Sequence, residues 1–253
     1  METILKLGFF TLLAIVFTGC ASTPKDTPQS RNQTASLELA RQLVGQGEYQ
    51  RAVQFLLPRS RQEDAAAEVH SLLGISFLGL NNPNVALKSF QTALKVDRND
   101  DDARLNMGYT LILLGKLQES RVAFDDIIKR NKYLNMEKVH LNIGLSYLQE
   151  KKCQKAITYF NSALEIDPTY SAPYFNLGKC HTSAGRLREA QASFQRAVDF
   201  CPGCSEPLIE LAHVSARMGE KSKALAQLES LFSLKPGGAI EQRALALRQQ
   251  LAR

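Results

Sequence analysis

The chain has 253 residues, of which 44% are hydrophobic and 22% charged. That balance excludes a disordered or fibrous polymer and supplies a core for one long domain or two short ones. The formal charge is +6, but the lysines and arginines are scattered over solvent-facing helix positions and never run to four in a row, so the excess does not mark a nucleic-acid-binding face.

The first element is an address. Leu7–Phe17 is an apolar stretch broken only by Gly8 and Thr11. It is shorter than the roughly 20 residues a membrane-crossing helix needs and has the length of a signal-peptide core. Phe17-Thr18-Gly19-Cys20 follows and resembles the bacterial lipobox, in which small residues admit the chain to the peptidase and the Cys thiol takes up the diacylglycerol. Phe17, where Leu is usual, and the weak charge of the start, with Glu2 opposing Lys6, depart from that pattern. Residues 1–19 are therefore expected to be a lipoprotein signal peptide and Cys20 the lipidated N-terminus. In the lipoprotein sorting code an Asp after the Cys retains the protein in the inner membrane. Ala21 stands there, so the expected location is the outer membrane, lipid-anchored and facing the periplasm. Ser22–Thr34 is rich in Ser, Thr, Pro and Gln without apolar periodicity, and residues 20–32 read as lipidated Cys plus flexible tether.

Beyond residue 32 the chain repeats itself. Leu73-Gly74 precedes Ala86, Phe90 and Ala93; Ile143-Gly144 precedes Ala156, Phe160, Ala163 and Pro168; Leu177-Gly178 precedes Ala190, Phe194, Ala197 and Pro202. Leu211-Ala212 leads a further copy, and Met107-Gly108 with Phe124 another in which Ser120 replaces the Ala. The glycines at 74, 108, 144 and 178 lie 34, 36 and 34 residues apart. A 34-residue period of this composition is the tetratricopeptide (TPR) signature. Gly at place 8 and Ala at places 20 and 27 allow close helix approach, and Phe at 24 fills the space between. Turns are expected at Gly47, Asn81, Gly115, Lys151, Gly185 and Gly219. The predicted fold is all-α: a right-handed TPR solenoid of about six helix pairs. The repeats span 33–66, 67–100, 101–136, 137–170, 171–204 and 205–238, with a capping helix over 239–253. The first is degenerate, with Ala40 for Gly and Pro58 inside its second helix; the third carries two extra residues near Lys132–Asn135.

In TPR proteins the concave groove is lined by the first helix of each pair, mainly at places 5, 9, 12 and 13. Those places hold Ser71, Ile75 and Leu78; Leu105, Tyr109, Ile112 and Leu113; Leu141, Leu145 and Leu148; Phe175 and Lys179; then Ile209, His213 and Arg217. Ile75, Leu105, Tyr109, Ile112, Leu141, Leu145, Leu148 and Phe175 form a nearly continuous apolar strip, the expected partner-binding groove. Leu113, near a helix end, is a candidate for core instead. The Lys and Asn of a chaperone-type carboxylate clamp are missing, and Asn106, Asn142 and Asn176, all at place 6, read as structural.

Four cysteines accompany Cys20: Cys153, Cys180, Cys201 and Cys204. An even set in an exported chain favours disulfides. Cys153 opens one helix, Cys180 lies late on its antiparallel neighbour, and Cys201 and Cys204 share a turn, so the expected pairs are Cys153–Cys180 and Cys201–Cys204. Cys201-Pro-Gly-Cys204 lacks the strand-to-helix setting of a thioredoxin-like motif, and the two pairs lie too far apart for one zinc ion. His70, His140, His181 and His213 fall at different repeat places, with no hydrolase, metalloprotease or phosphate-loop pattern. No enzyme activity, cofactor, metal or small-molecule substrate is expected.

A lipobox, a short tether, about six TPRs and a small cap together resemble the type IV pilus pilotins, the PilF/PilW/Tgl group. The resemblance spans the chain, although its parts are generic. It implies a lipoprotein that helps outer-membrane secretin subunits assemble, its lipid anchor in the membrane and its groove holding an apolar segment of the secretin subunit. The alternative is a TPR lipoprotein scaffold for peptidoglycan or outer-membrane protein assembly.

Overall fold

Apolar residues at helical period and six positive-φ turns give the chain its alternation of helices. The computed structural model describes residues 28–130 and 132–252, and among these it contains thirteen α-helices and no strand. They pair as α1 (Pro28–Gly45) with α2 (Tyr49–Leu56), α3 (Ala67–Gly79) with α4 (Pro83–Val96), and α5 (Asp101–Leu113) with α6 (Leu117–Arg130). Then come α7 (Met136–Gln149) with α8 (Cys153–Ile166), α9 (Ser171–Ser183) with α10 (Leu187–Phe200), and α11 (Ser205–Arg217) with α12 (Lys221–Ser233). The last helix, α13 (Gly238–Ala252), packs on α11 and α12. Each helix packs on its predecessor and successor, and the first helices of successive pairs also touch, which is the stacking of a TPR solenoid. No described helix is long and apolar enough to cross a membrane.

The turns within the six pairs carry positive φ at Gly47, Asn81, Gly115, Lys151, Gly185 and Gly219. At each, the next backbone N–H bonds back into the preceding helix, as Lys116 N–H does to the Leu111 carbonyl at 2.8 Å. The left-handed residue thus satisfies carbonyls the helix end would leave bare. Inside the second to fifth pairs a glycine admits the aromatic ring. The rings of Phe90, Phe124, Phe160 and Phe194 are fully buried against Gly74, Gly108, Gly144 and Gly178.

Two boundaries differ from the expectation. Residues 28–32, read as tether, belong to α1, which opens on Pro28; proline has no N–H to lose at a first helical position and its φ is already helical. Pro58 does not sit inside the second helix of the first pair. Helix α2 stops at Leu56, with Leu57 as its C-cap, and a 3-10 turn at Arg59–Arg61 follows. A proline there cannot supply the N–H that would continue the α2 ladder.

Hydrophobic burial forms a chain of local cores. One joins α1, α2 and α3 through Ala40, Leu43, Leu56 and Leu73. The last joins α10 through α13, where Ala244 and Leu247 are buried and Arg243 reaches back to Glu206 at 3.0 Å and to Glu210.

Candidate functional site

The apolar strip read along the groove divides in two in the structure. Leu105, Ile112 and Leu141 are buried, with 8%, 6% and 7% of their surface left. Leu105 and Ile112 share a core with Phe124, Ile127, Val139 and Ile143, and Leu141 lies in the next core with Phe160 and Leu177. Ile209 is likewise fully buried. These residues are withdrawn from the proposed lining. For three of them the reason is geometric: place 5 faces the following pair, so consecutive first helices close over Leu105, Leu141 and Ile209, while Ser71 and Phe175 stay half-buried there.

The side chains at place 9 remain accessible. Ile75 and Leu145 are half-buried and Tyr109 is exposed. Leu78 and Leu148 at place 12 are half-buried, and Leu113, which the sequence suggested as core, is half exposed at 50%. The accessible apolar surface is therefore Ile75, Leu78, Tyr109, Leu113, Leu145 and Leu148, ending at Phe175. Lys179 closes that end with its ammonium 5.5 Å from the Phe175 ring centroid. His213 and Arg217 continue the row as polar groups. Such a surface offers desolvation energy and shape to an apolar segment, and no arrangement for bond-making. Asn176 at place 6 is buried and donates to the Ala172 carbonyl at 2.9 Å, so it is held within its own helix.

A second cluster sits between α6, α7 and α8. Arg121 donates to Glu150 at 2.7 Å and to Ser146 Oγ at 3.2 Å while its guanidinium lies 4.6 Å from the Tyr147 ring centroid. Tyr147 stacks on Tyr159, and Tyr159 on His140. Hydrogen bonds from Lys152 and Arg121 hold the Glu150 carboxyl below its ordinary range. Sequence reading missed this cluster, because its members come from three helices and only the aromatic content of α7 and α8 hinted at it.

Among the cysteines, Cys201 and Cys204 are joined, with Cα atoms 5.4 Å apart. Cys153 and Cys180 are free thiols, contrary to the expected pairing. They are neighbours between α8 and α9, but Cys153 Sγ meets the Ser183 hydroxyl at 3.6 Å, and Cys180 is fully buried. Burial, first, and the Cys153 thiol, second, push the Cys180 thiol up to about 12. Cys20, the expected lipidation site, lies outside the described residues.

Two family models described as tetratricopeptide repeat match residues 71–134 and 135–203, together more than half of the 253 residues. The type IV pilus assembly protein PilF of Pseudomonas aeruginosa is 25% identical over 162 residues, covering 62% of this chain and 64% of PilF. Superkiller protein 3 of Schizosaccharomyces pombe is 26% identical over 133 residues, covering 50% of this chain and 9% of that protein. The chain thus spans less than two thirds of the length of either relative. Among solved structures, PilW, a widely conserved type IV pilus biogenesis factor, superposes with a TM-score of 0.73 at 18% identity, over 85% of this chain and 99% of PilW. Pseudomonas aeruginosa PilF does so with a TM-score of 0.69 at 18% identity, over 87% of this chain and 99% of PilF. With its repeated Gly–Phe contacts, its six helix pairs and these matches, the chain belongs to the tetratricopeptide repeat family.

Proposed function

We propose that this chain is an outer-membrane lipoprotein, anchored through Cys20, that acts as a pilotin for the secretin of a type IV pilus. The observation that carries the reading is the accessible apolar row of Ile75, Tyr109, Leu145 and Leu148 on a solenoid whose likeness to PilF and PilW extends over most of the chain. A secretin subunit awaiting assembly exposes apolar surface that oligomerisation will bury. The row covers such a segment and releases it when neighbouring subunits offer a larger interface. Each apolar side chain fully buried in that contact contributes roughly 1.5–3 kcal/mol, so a segment seated on three or four of them is held firmly enough for escort.

The test is a deletion strain complemented with Tyr109→Ser/Leu145→Ser and probed for heat-stable secretin multimers. Both side chains are accessible, so the variant should fold and reach the outer membrane while multimers disappear. A matched exposed variant outside the groove, Val122→Ser on α6, should leave them intact. Normal multimers in the double variant would remove the groove from the function.

A further inference from the structure

We propose that the rim formed by the connections between successive helix pairs is a membrane-contacting edge, lying on the surface of a lipid bilayer. The inference rests on the lipid-anchor reading of Cys20. Along this rim, at the five connections between pairs and the one into α13, an exposed large apolar residue stands either in the connection (Leu57, Leu134, Leu234) or as the last residue of the helix entering it (Val96, Ile166, Phe200). The opposite rim, made of the six turns within pairs, has one in only two of its turns, Leu80 and Leu113, among the described residues. Scattered exposed leucines need no explanation, but a set that recurs at every connection of one edge and at only two turns of the other does.

Leu134 is the extreme member. It is 94% exposed, on the turn lengthened by two residues in the third pair. That turn is pinned: Tyr133 donates to Asp102 at 2.5 Å, and Arg130 donates to Asp101 and to the Arg98 carbonyl at 3.1 and 2.9 Å. Its neighbours Lys132 and Tyr133 are exposed and half-buried, so the loop is held by Tyr133 while Leu134 is presented outward. Several acidic groups of the rim are engaged within the protein. Asp101 pairs with both Arg104 and Arg130, Asp102 accepts from Tyr133, and Asp97 and Asp167 accept from Asn99 and Thr169. Carboxylates satisfied within the protein repel a bilayer less than free ones, and Arg98, Lys132 and Lys235 stand exposed among the apolar residues, where they suit phosphate headgroups.

The occupant is set by where the chain enters. Helix α1 runs antiparallel to α2, and α2 to α3, so the first residue of α1 lies on the same rim as the α2–α3 connection. From Cys20 to Pro28 is eight residues, which span at most about 28 Å. The anchor therefore keeps this rim, and not the opposite one, within reach of the bilayer. Apolar side chains spaced along an edge, with basic residues between them, match the interfacial mode in which side chains enter the headgroup region by about 5–10 Å. The groove then opens sideways along the membrane, where an outer-membrane subunit arrives.

The chain has no Trp, so a single introduced Trp reports position without background. The full lipidated chain carrying Leu134→Trp or Val96→Trp is reconstituted in zwitterionic phosphatidylcholine vesicles containing brominated lipid. Leu80→Trp on the opposite rim is the control. Emission at positions 134 and 96 should be blue-shifted and quenched several-fold more than at position 80. If the protein floats with the vesicles but all three positions are quenched alike, the rim inference falls and the anchor reading stands. A chain that fails to float with vesicles defeats the anchor reading, and the rim inference with it. Shielding of position 134 from aqueous iodide only when secretin subunit is added, and not by vesicles alone, would assign the rim to the protein partner and overturn the proposal.

Discussion

Gly144 lies directly under the ring of Phe160: a Cβ built on this glycine would stand 2.4 Å from Phe160 Cε1. The ring has no exposed surface and no room to retreat. Gly144→Ala should therefore destabilise the protein despite the better helix propensity of Ala. Overpacking costs about 1–3 kcal/mol and the propensity gain returns about 1, leaving a net loss of up to about 2 kcal/mol in a urea titration. Gly45→Ala, with nothing within 4 Å of the added Cβ, should be neutral or stabilising. Equal midpoints for the two variants would contradict close packing of α7 on α8.

This contact was legible in the sequence because glycine and phenylalanine recur 16 residues apart, as at 74 and 90 or 144 and 160, a spacing that only a helix hairpin turns into contact. Five of the six turn residues were legible for a local reason too, since Gly and Asn adopt positive φ without help from their surroundings, whereas Lys151 was legible only from its place in the repeat. The groove was not, because whether place 5 is open or closed depends on how tightly successive first helices stack. Leu105 and Leu141 are sealed while Tyr109 and Leu145, one helical turn later, stay open. No pattern within one repeat contains that distance. The start of α1 escaped for the opposite reason: the polar run around residues 28–32 has no apolar period, and helix continues through it from the periodic part of α1.

Acidification should destabilise the solenoid through its histidines. His140 is stacked on Tyr159, and its Nδ1 is buried with no partner. Burial holds its pKa below the ordinary value, with Glu165 opposing the shift. His70, His181 and His213 are lowered by burial as well. The folded chain keeps these rings neutral, whereas the unfolded chain takes up protons near pH 6.5. Stability is thus full above that pH and is lost as the pH falls towards the depressed folded values. Denaturation midpoints at pH 7, 6 and 5 should decline, and His140→Phe should flatten the decline with little change at pH 7. A profile identical to the parent's would show that His140 does not contribute to it.

Arg121 joins α6 to α7 by three different contacts, and a lysine cannot reproduce them. Its fork spans Glu150 and Ser146 while its plane covers Tyr147. Arg121→Lys keeps the charge and loses the planar fork. Both Arg121→Lys and Arg121→Ala should lower the melting temperature, with the lysine variant recovering only part of the loss. Because Glu150 is held below its ordinary range, the pair stabilises above that range and its contribution fades as the pH falls through it. A double-mutant cycle with Glu150→Gln should give a coupling at pH 7 that shrinks at pH 3.5. Additive effects at both values would show that the contact carries no net stability.

Cys180 is best understood by the residues that share its place. Place 10 holds Ser76, Thr110 and Ser146 in the preceding pairs, all fully buried, each hydroxyl donating at 2.7 Å to a carbonyl of its own helix. Cys180 is the small, buried member of the same row, and packing accounts for it without a disulfide. Cys180→Ser should accordingly cost less than about 1 kcal/mol, since a hydroxyl fits the site and finds a carbonyl as its neighbours do. Cys180→Leu should overpack it by about 1–3 kcal/mol. Reactivity provides an independent check. Cys180, its thiol raised by burial, should resist iodoacetamide at pH 8, while half-exposed Cys153 reacts on the order of tenfold faster or more. In denatured, unreduced protein both should alkylate, and Cys201 and Cys204 only after reduction. Failure of Cys153 and Cys180 to alkylate without reductant, with a mass two hydrogens lighter, would show that the pairing expected from the sequence forms in the exported protein. The packing role assigned to Cys180 would then give way to a covalent staple between α8 and α9.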